Sequence, residues 1–203
     1  MTIFHVHRDP ESVDYLLVTI DGYPSKRWPA KLFEKEIQKT SFSGDAQQMY
    51  KQLGEIETKV ALKQAIYLLS KKSCFSSELQ GKLEEKELDA VAIENAVAYC
   101  MKAGYIDDDR KMEYLIAKAK DRGFGPFVIK AKLRKVLGED KKLDTYIDAC
   151  SSKQEEAIDK LLKTKLKKLL LTNPMERKKA INYLQRRGFD IEAILSAIRS
   201  RKQ

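Results

Sequence analysis

Chemistry needs particular side chains at particular spacings, and this sequence offers few such sets. The densest acidic run is Asp107-Asp108-Asp109. Adjacent carboxylates can ligate Mg²⁺ in a nuclease when others converge on them, but here the run stands just before an apolar-periodic stretch. In that place carboxylates satisfy the free N–H groups and positive dipole end of a starting helix, so capping is the expectation. His5 and His7, the only two histidines, stand at i, i+2 ahead of the first strand-like stretch, and no Cys, Asp or Glu set completes a metal site with them. The three cysteines, Cys74, Cys100 and Cys150, lack CxxC spacing and lie in or beside apolar helical stretches, which suits buried reduced thiols. Gly123-Phe124-Gly125-Pro126 has too few glycines to cradle a phosphate and is not followed by Lys-Ser or Lys-Thr. Neither a catalytic centre nor a metal or other cofactor is expected.

The basic residues are better organised. Lys71 and Lys72 come just before Ser76, and Lys82 and Lys86 are one helical turn apart. Lys130, Lys132, Arg134 and Lys135 surround an Ile129/Leu133 stripe, and Arg186-Arg187 close a later helical stretch. The formal net charge is +9, and residues 153–203 hold 14 Lys and Arg against 6 Asp and Glu. Such asymmetry suits a polyanion partner, because Lys and Arg gain affinity for nucleic acid by releasing its condensed counterions; a plain solvated face is the competing reading. If the helices that carry these cations stack in register, they form one stripe able to follow phosphates or an acidic protein groove.

The elements that must position these groups follow from the apolar pattern. Hydrophobic residues are 43% of the 203, charged residues 34% and aromatics 8%, with a mean hydropathy of −0.48. No run nears the roughly 18 apolar residues of a membrane span, and Met1-Thr2-Ile3-Phe4-His5 lacks the layout of a secretory signal, so a cytoplasmic chain is expected. Tyr15 to Ile20 is β-prone, Asp21-Gly22 is a turn signal and Lys26-Arg27-Trp28 a return strand, which allows a short N-terminal β-hairpin packed on Leu32, Phe33 and Ile37. From Pro29 onward the pattern is helical.

An internal repeat of about fifty residues organises that helical part. Glu78 to Leu83, Val128 to Leu133 and Lys179 to Leu184 align on their final leucines, and each repeat reads as three helices. The first runs over 60–106, with helices at Val60–Ser70, after a Ser76-Ser77-Glu78 cap, and at Ala90–Met101. The second, 107–152, opens behind the aspartates, restarts at Pro126 and closes with Lys141–Cys150. The third, 153–203, opens with Gln154–Leu171, is interrupted by Asn173-Pro174, and continues with Met175–Arg187 and Ile191–Arg199. Residues 1–59 form a separate N-terminal segment. Gly104 and Gly188 stand where left-handed helix terminators belong. The expectation is an all-α fold of tandem three-helix units, leaning on one another into an elongated, curved molecule behind the hairpin. Without sustained heptads, a coiled-coil dimer is not expected and a monomer is.

With these residues in place, the chain resembles the RecX family of bacterial regulators of the RecA recombinase. The matching stretches are Tyr67-Leu68 through Ser76, Glu78-Leu79 and Lys82-Leu83, with lysines at the signature's arginine positions 71 and 72. Gly104-Tyr105-Ile106-Asp107-Asp108, then Gly125-Pro126, Ile129 and Leu133, and finally Arg187-Gly188-Phe189 follow in the family's order. The resemblance implies a tandem of three-helix repeats lying in the groove of a RecA–DNA filament. It also implies contact with recombinase protomers and with single- or double-stranded DNA, and inhibition of ATP turnover, strand exchange and co-protease activity in recombination and SOS repair. An autonomous helical DNA-binding module, as in helix-turn-helix proteins, is the competing expectation. A nuclease using Asp107 to Asp109 is a weaker third.

Overall fold

Leu16, Val18 and Ile20 alternate with outward residues, and this period of two builds the central strand of a small sheet. The computed structural model describes residues 3–40, 42, 44–137, 141–151 and 154–201, and of residues 136, 141–142 and 149–151 the backbone alone. The expectation for the Cys150 thiol therefore lies outside the described side chains.

The chain divides into two units, Met1–Asp108 and Asp109–Gln203. The first begins with β1 (Phe4–Asp9), β2 (Ser12–Ile20) and β3 (Tyr23–Pro29), an antiparallel sheet in the order β1-β2-β3. Asp21 and Gly22 both have positive φ, 51° and 82°, as a two-residue turn between twisted strands requires. The expected hairpin is thus β2 and β3, and it gains a third strand: His5 and His7 lie on β1, not ahead of the sheet, with Phe4 and Val6 packed towards the core.

Helix α1 (Ala30–Ile37) follows, then α2 (Ala46–Lys71), α3 (Ser76–Glu84) and α4 (Ala90–Lys102). The helix expected over 60–70 starts at Ala46, because Asp45 and Gln48 close a reciprocal capping box there and Met49, Leu53 and Ile56 extend the buried face backwards. One helix of 26 residues, about 39 Å long, therefore joins the N-terminal segment to the first repeat. Trp28 stacks on Phe33 with ring centroids 4.5 Å apart and donates its indole N–H to buried Glu57 of α2 at 2.7 Å. Lys26 pairs with that carboxylate and with Asp89, the N-cap of α4. Sheet, long helix and first repeat share one continuous core, which also buries the side chains of Cys74 and Cys100.

The second unit holds most of α5 (Asp108–Asp121), then α6 (Pro126–Leu137), α7 (Lys141–Ser151), α8 (Gln154–Thr164), α9 (Pro174–Arg186) and α10 (Ile191–Ser200). The repeat is physical: Leu79 and Leu83, Ile129 and Leu133, and Ala180 and Leu184 are buried pairs one turn apart on α3, α6 and α9. Complete burial of a leucine removes it from water at a gain of about 2 kcal/mol, so Leu79, Leu83, Leu133 and Leu184 each contribute to the core around them. Helix α8 stops at Thr164 rather than 171; Leu166 and Leu171 turn back onto the core while Lys163, Lys165, Lys167 and Lys168 stay exposed.

Candidate polyanion-binding interface

Three helices end in the same way. Gly104, Gly123 and Gly188 adopt φ of 74°, 74° and 86°, and the aromatic residue after each donates its N–H to a carbonyl five residues back: Tyr105 to Cys100, Phe124 to Ala119 and Phe189 to Leu184. In the second unit two of these turns interlock. Gly125 N–H donates to the Arg187 carbonyl at 2.8 Å, and Phe127 N–H, in the first turn of α6, donates to the Gly188 carbonyl at 3.1 Å. A Cβ on Gly125 would lie 2.4 Å from the Gly188 carbonyl oxygen, and one on Gly188 would lie 2.5 Å from the Val128 nitrogen. The two backbones meet where no side chain fits, and the turn that ends α9 caps the start of α6.

The interlock carries Arg187 into the site. As the C-cap residue of α9, it lies beyond the helix and donates to the Arg122 carbonyl at 2.8 Å. Its guanidinium carbon is 5.3 Å from the Phe124 ring centroid and 5.2 Å from that of Tyr183, while Lys132 Nζ is 4.0 Å from the Phe124 centroid. Arg186 is exposed and bonds only a carbonyl of its own helix among the described residues.

The other expected cations have different surroundings. Lys130 lies 2.6 Å from Asp144 of α7, with Arg134 at 3.8 Å from the same oxygen. These two cations pin α6 to α7, and the Lys130 ammonium holds the Asp144 carboxyl below its usual range. Lys135 is exposed. In the first unit, Lys71 sits in the last turn of α2 with its ammonium 5.3 Å from the Tyr67 ring, and Lys72 is the exposed C-cap. Lys82 is half-buried on α3, whereas Lys86 lies in the turn beyond it, so these two do not share a helical face. Lys71, Lys72, Lys82 and Lys86 thus lie in the first unit, and Lys130, Lys132, Arg134, Lys135, Arg186 and Arg187 in the second, with differing local surroundings.

Of the acidic run, Asp108 caps α3 rather than the helix it begins. Asp108 accepts from the Ser76 N–H at 2.9 Å and from the Ser76 hydroxyl, which caps α3 from another element; Ser76 itself is the first helical residue, not the cap. Glu78 reaches back to the Phe75 N–H at 2.8 Å. Among the described residues no group of three His, Cys, Asp or Glu side chains could hold a metal ion.

Sequence reading missed a second set of cations. Lys118, Lys120 and Arg122, at the end of α5, line grooves with Lys132 and with Lys160, Lys165 and Arg187. The spacing Lys118-Ala119-Lys120-Asp121-Arg122 ahead of a glycine turn was the available signal, but only tertiary packing brings α8 and the end of α9 beside it.

These features define a class: a helical repeat protein with a cationic surface. Residues 153–198 match the family profile described as RecX, third three-helix domain. A regulatory protein RecX from Serratia proteamaculans (strain 568) is 32% identical over 123 residues, covering 58% of this chain and 70% of that one. One from Stenotrophomonas maltophilia (strain R551-3) is 28% identical over 138 residues, 68% of this chain and 85% of that one. A crystal structure of regulatory protein RecX shares the fold with a TM-score of 0.56 at 16% identity, over 95% of this chain and 97% of that one. RecX from Lactobacillus salivarius gives 0.57 at 20%, over 71% and 96%. The chain belongs to the RecX family, and these relatives are named regulatory proteins. No described helix is long and apolar enough to cross a membrane.

Proposed function

We propose that this chain is a non-enzymatic negative regulator of the RecA recombinase. It docks as a monomer on the RecA–DNA filament in the cytoplasm and inhibits ATP hydrolysis, strand exchange and co-protease activity in recombination and SOS repair. The observation that carries this reading is membership of the RecX family, and the basic helical repeat supports it. A filament presents the same site at regular intervals, and a protein of repeated units can engage successive sites so that modest contacts sum through effective concentration. The proposed contacts are Lys71, Lys72, Lys82, Lys86, Lys132, Lys135, Arg186 and Arg187; Lys130 and Arg134 serve mainly to pin α7 through Asp144.

The test is single-stranded-DNA-dependent ATP hydrolysis by the host's RecA with increasing amounts of this protein at moderate salt. A variant with Lys71, Lys72, Lys135 and Arg186 changed to Glu runs beside it, leaving the Asp144 pairs intact. Substoichiometric inhibition, weakened in the variant, is the expected result. Absence of inhibition with DNA binding preserved would instead favour an autonomous DNA-binding module.

A further inference from the structure

The third repeat departs from the first two at one join. Opening and middle helices are linked by residues 72–75 and 122–125 in the first two repeats but by 165–173 in the third, nine residues against four. The shorter link suffices to join such a helix pair, so the added length has to be explained by the side chains it carries. It reads Lys165-Leu166-Lys167-Lys168-Leu169-Leu170-Leu171-Thr172-Asn173. Leu166 and Leu171 pack on the core of the second unit, whereas Leu170 is 66% exposed and Met175, in the first turn of α9, is 69% exposed. The two belong to one small folded element. Glu176 accepts from the Leu170 N–H, the Asn173 N–H donates to the Leu170 carbonyl, and the Asn173 side chain accepts from the Met175 N–H as the N-cap of α9.

That element is also strongly cationic. Lys165, Lys167 and Lys168 on the turn, with Lys178 and Lys179 on α9, are exposed and form no ion pair among the described residues. Between Asp159 and Asp190 the sequence holds one carboxylate, Glu176, and the Leu170 amide engages it. A phosphodiester chain answers the lysines but leaves Leu170 and Met175 in water. Protein interfaces cover apolar side chains, yet they favour Arg and aromatic residues and deplete Lys, which is the cation at every exposed position here. A second copy of the chain would bring like charges together. A bilayer with anionic headgroups answers both features, since ammonium groups on flexible stems reach headgroups in any arrangement while aliphatic side chains enter the acyl boundary beneath them.

We infer that the turn over 165–173 and the start of α9 form a docking site for an anionic lipid surface, with Lys167 and Lys168 meeting headgroups and Leu170 and Met175 entering the acyl boundary. The contact lies on the bilayer and does not cross it. It is independent of the RecA reading and uses none of the residues proposed above for the filament.

The experiment is co-sedimentation of the full chain with vesicles of phosphatidylcholine alone and of phosphatidylcholine with about 30% phosphatidylglycerol. The anionic vesicles should bind the chain at least about tenfold more tightly than the neutral ones, and binding should fade between about 0.1 and 1 M salt as screening shortens. Each lysine near an anionic surface contributes about fivefold, so K167Q/K168Q should weaken binding by about 25-fold. L170Q/M175Q keeps every charge and should still weaken it by at least about tenfold. K35Q/K39Q, which removes two exposed charges at the end of α1, should bind like the parent, and all variants should keep the parent's circular dichroism. Equal binding to both vesicle sets would overturn the inference, as would K35Q/K39Q weakened as much as K167Q/K168Q. Vesicle binding unchanged in L170Q/M175Q, with RecA inhibition lost, would make the patch a protein contact. No vesicle binding by the parent, with oligothymidylate binding weakened in K167Q/K168Q, would make it a nucleic-acid contact, and either result refutes the lipid assignment.

Discussion

Replacing Gly188 by Ala should open the interlock between α6 and α9, and the structure allows its cost to be separated into parts. At φ of 86° an added Cβ carries the left-handed penalty of about 1 kcal/mol. It would also lie 2.5 Å from the Val128 nitrogen and 2.7 Å from its Cγ2, so backbone has to move. Movement weakens two hydrogen bonds, Gly125 N–H to Arg187 and Phe127 N–H to Gly188, each worth about 1 kcal/mol and more if the donor is left unsatisfied. The sum is about 3–4 kcal/mol. Two further variants isolate the parts. Gly123→Ala carries the same kind of strain at φ of 74° but meets the end of the Leu161 side chain, which can move, and should cost about 1–2 kcal/mol. Gly125→Ala has no positive φ but meets the Gly188 carbonyl at 2.4 Å, and should cost about 2–3 kcal/mol. Calorimetry, with hydrogen exchange at the Phe127 amide, reads both quantities; the sole tryptophan lies in the other unit and cannot report this transition alone. If Gly188→Ala and Gly125→Ala cost no more than Gly123→Ala, and the Phe127 amide stays protected, the interlock does not stabilise the unit and the reasoning fails.

Glu57→Leu removes the acceptor of the Trp28 indole and one partner of Lys26, and should destabilise the first unit by about 2–4 kcal/mol, read as a shifted Trp28 fluorescence transition in denaturant. Lys59 and Lys63 hold buried Glu36 down to a pKa of about 2, against 4.5 in the unfolded chain, so its contribution is present above pH 4.5 and fades as pH falls towards 2. Glu36→Gln should then lower the melting temperature by about 3–6 °C at pH 7, with the gap closing near pH 2; a gap independent of pH would argue against this pairing. Asp108→Ala leaves the first N–H and the hydroxyl of α3 without their acceptor and should cost about 1 kcal/mol, whereas Ser76→Ala, which keeps the backbone bond, should cost less in the same chemical denaturation.

Family membership, the helical repeat and the left-handed glycines at 104 and 188 were legible in the sequence because each depends on short-range pattern. A core leucine every fifty residues, a proline at the first turn of α6 and a glycine ahead of an aromatic residue carry their meaning within a few positions. The β2–β3 hairpin was legible for the same reason, through Asp21-Gly22. Long-range partnerships were not. That α2 begins at Ala46 depends on burial of Met49, Leu53 and Ile56 in a core shared with other elements, and that Ser76 takes its acceptor from Asp108 depends on a residue 32 positions away. Charge was the least transparent feature. Lysine looks alike in sequence whether it pairs with an aspartate from another helix, as Lys130 does, or forms no ion pair among the described residues, as at Lys160. Only the tertiary structure could decide which cations are matched, because the Coulomb energy depends on distance in space and solvent exposure, which residue type and spacing along the chain do not contain.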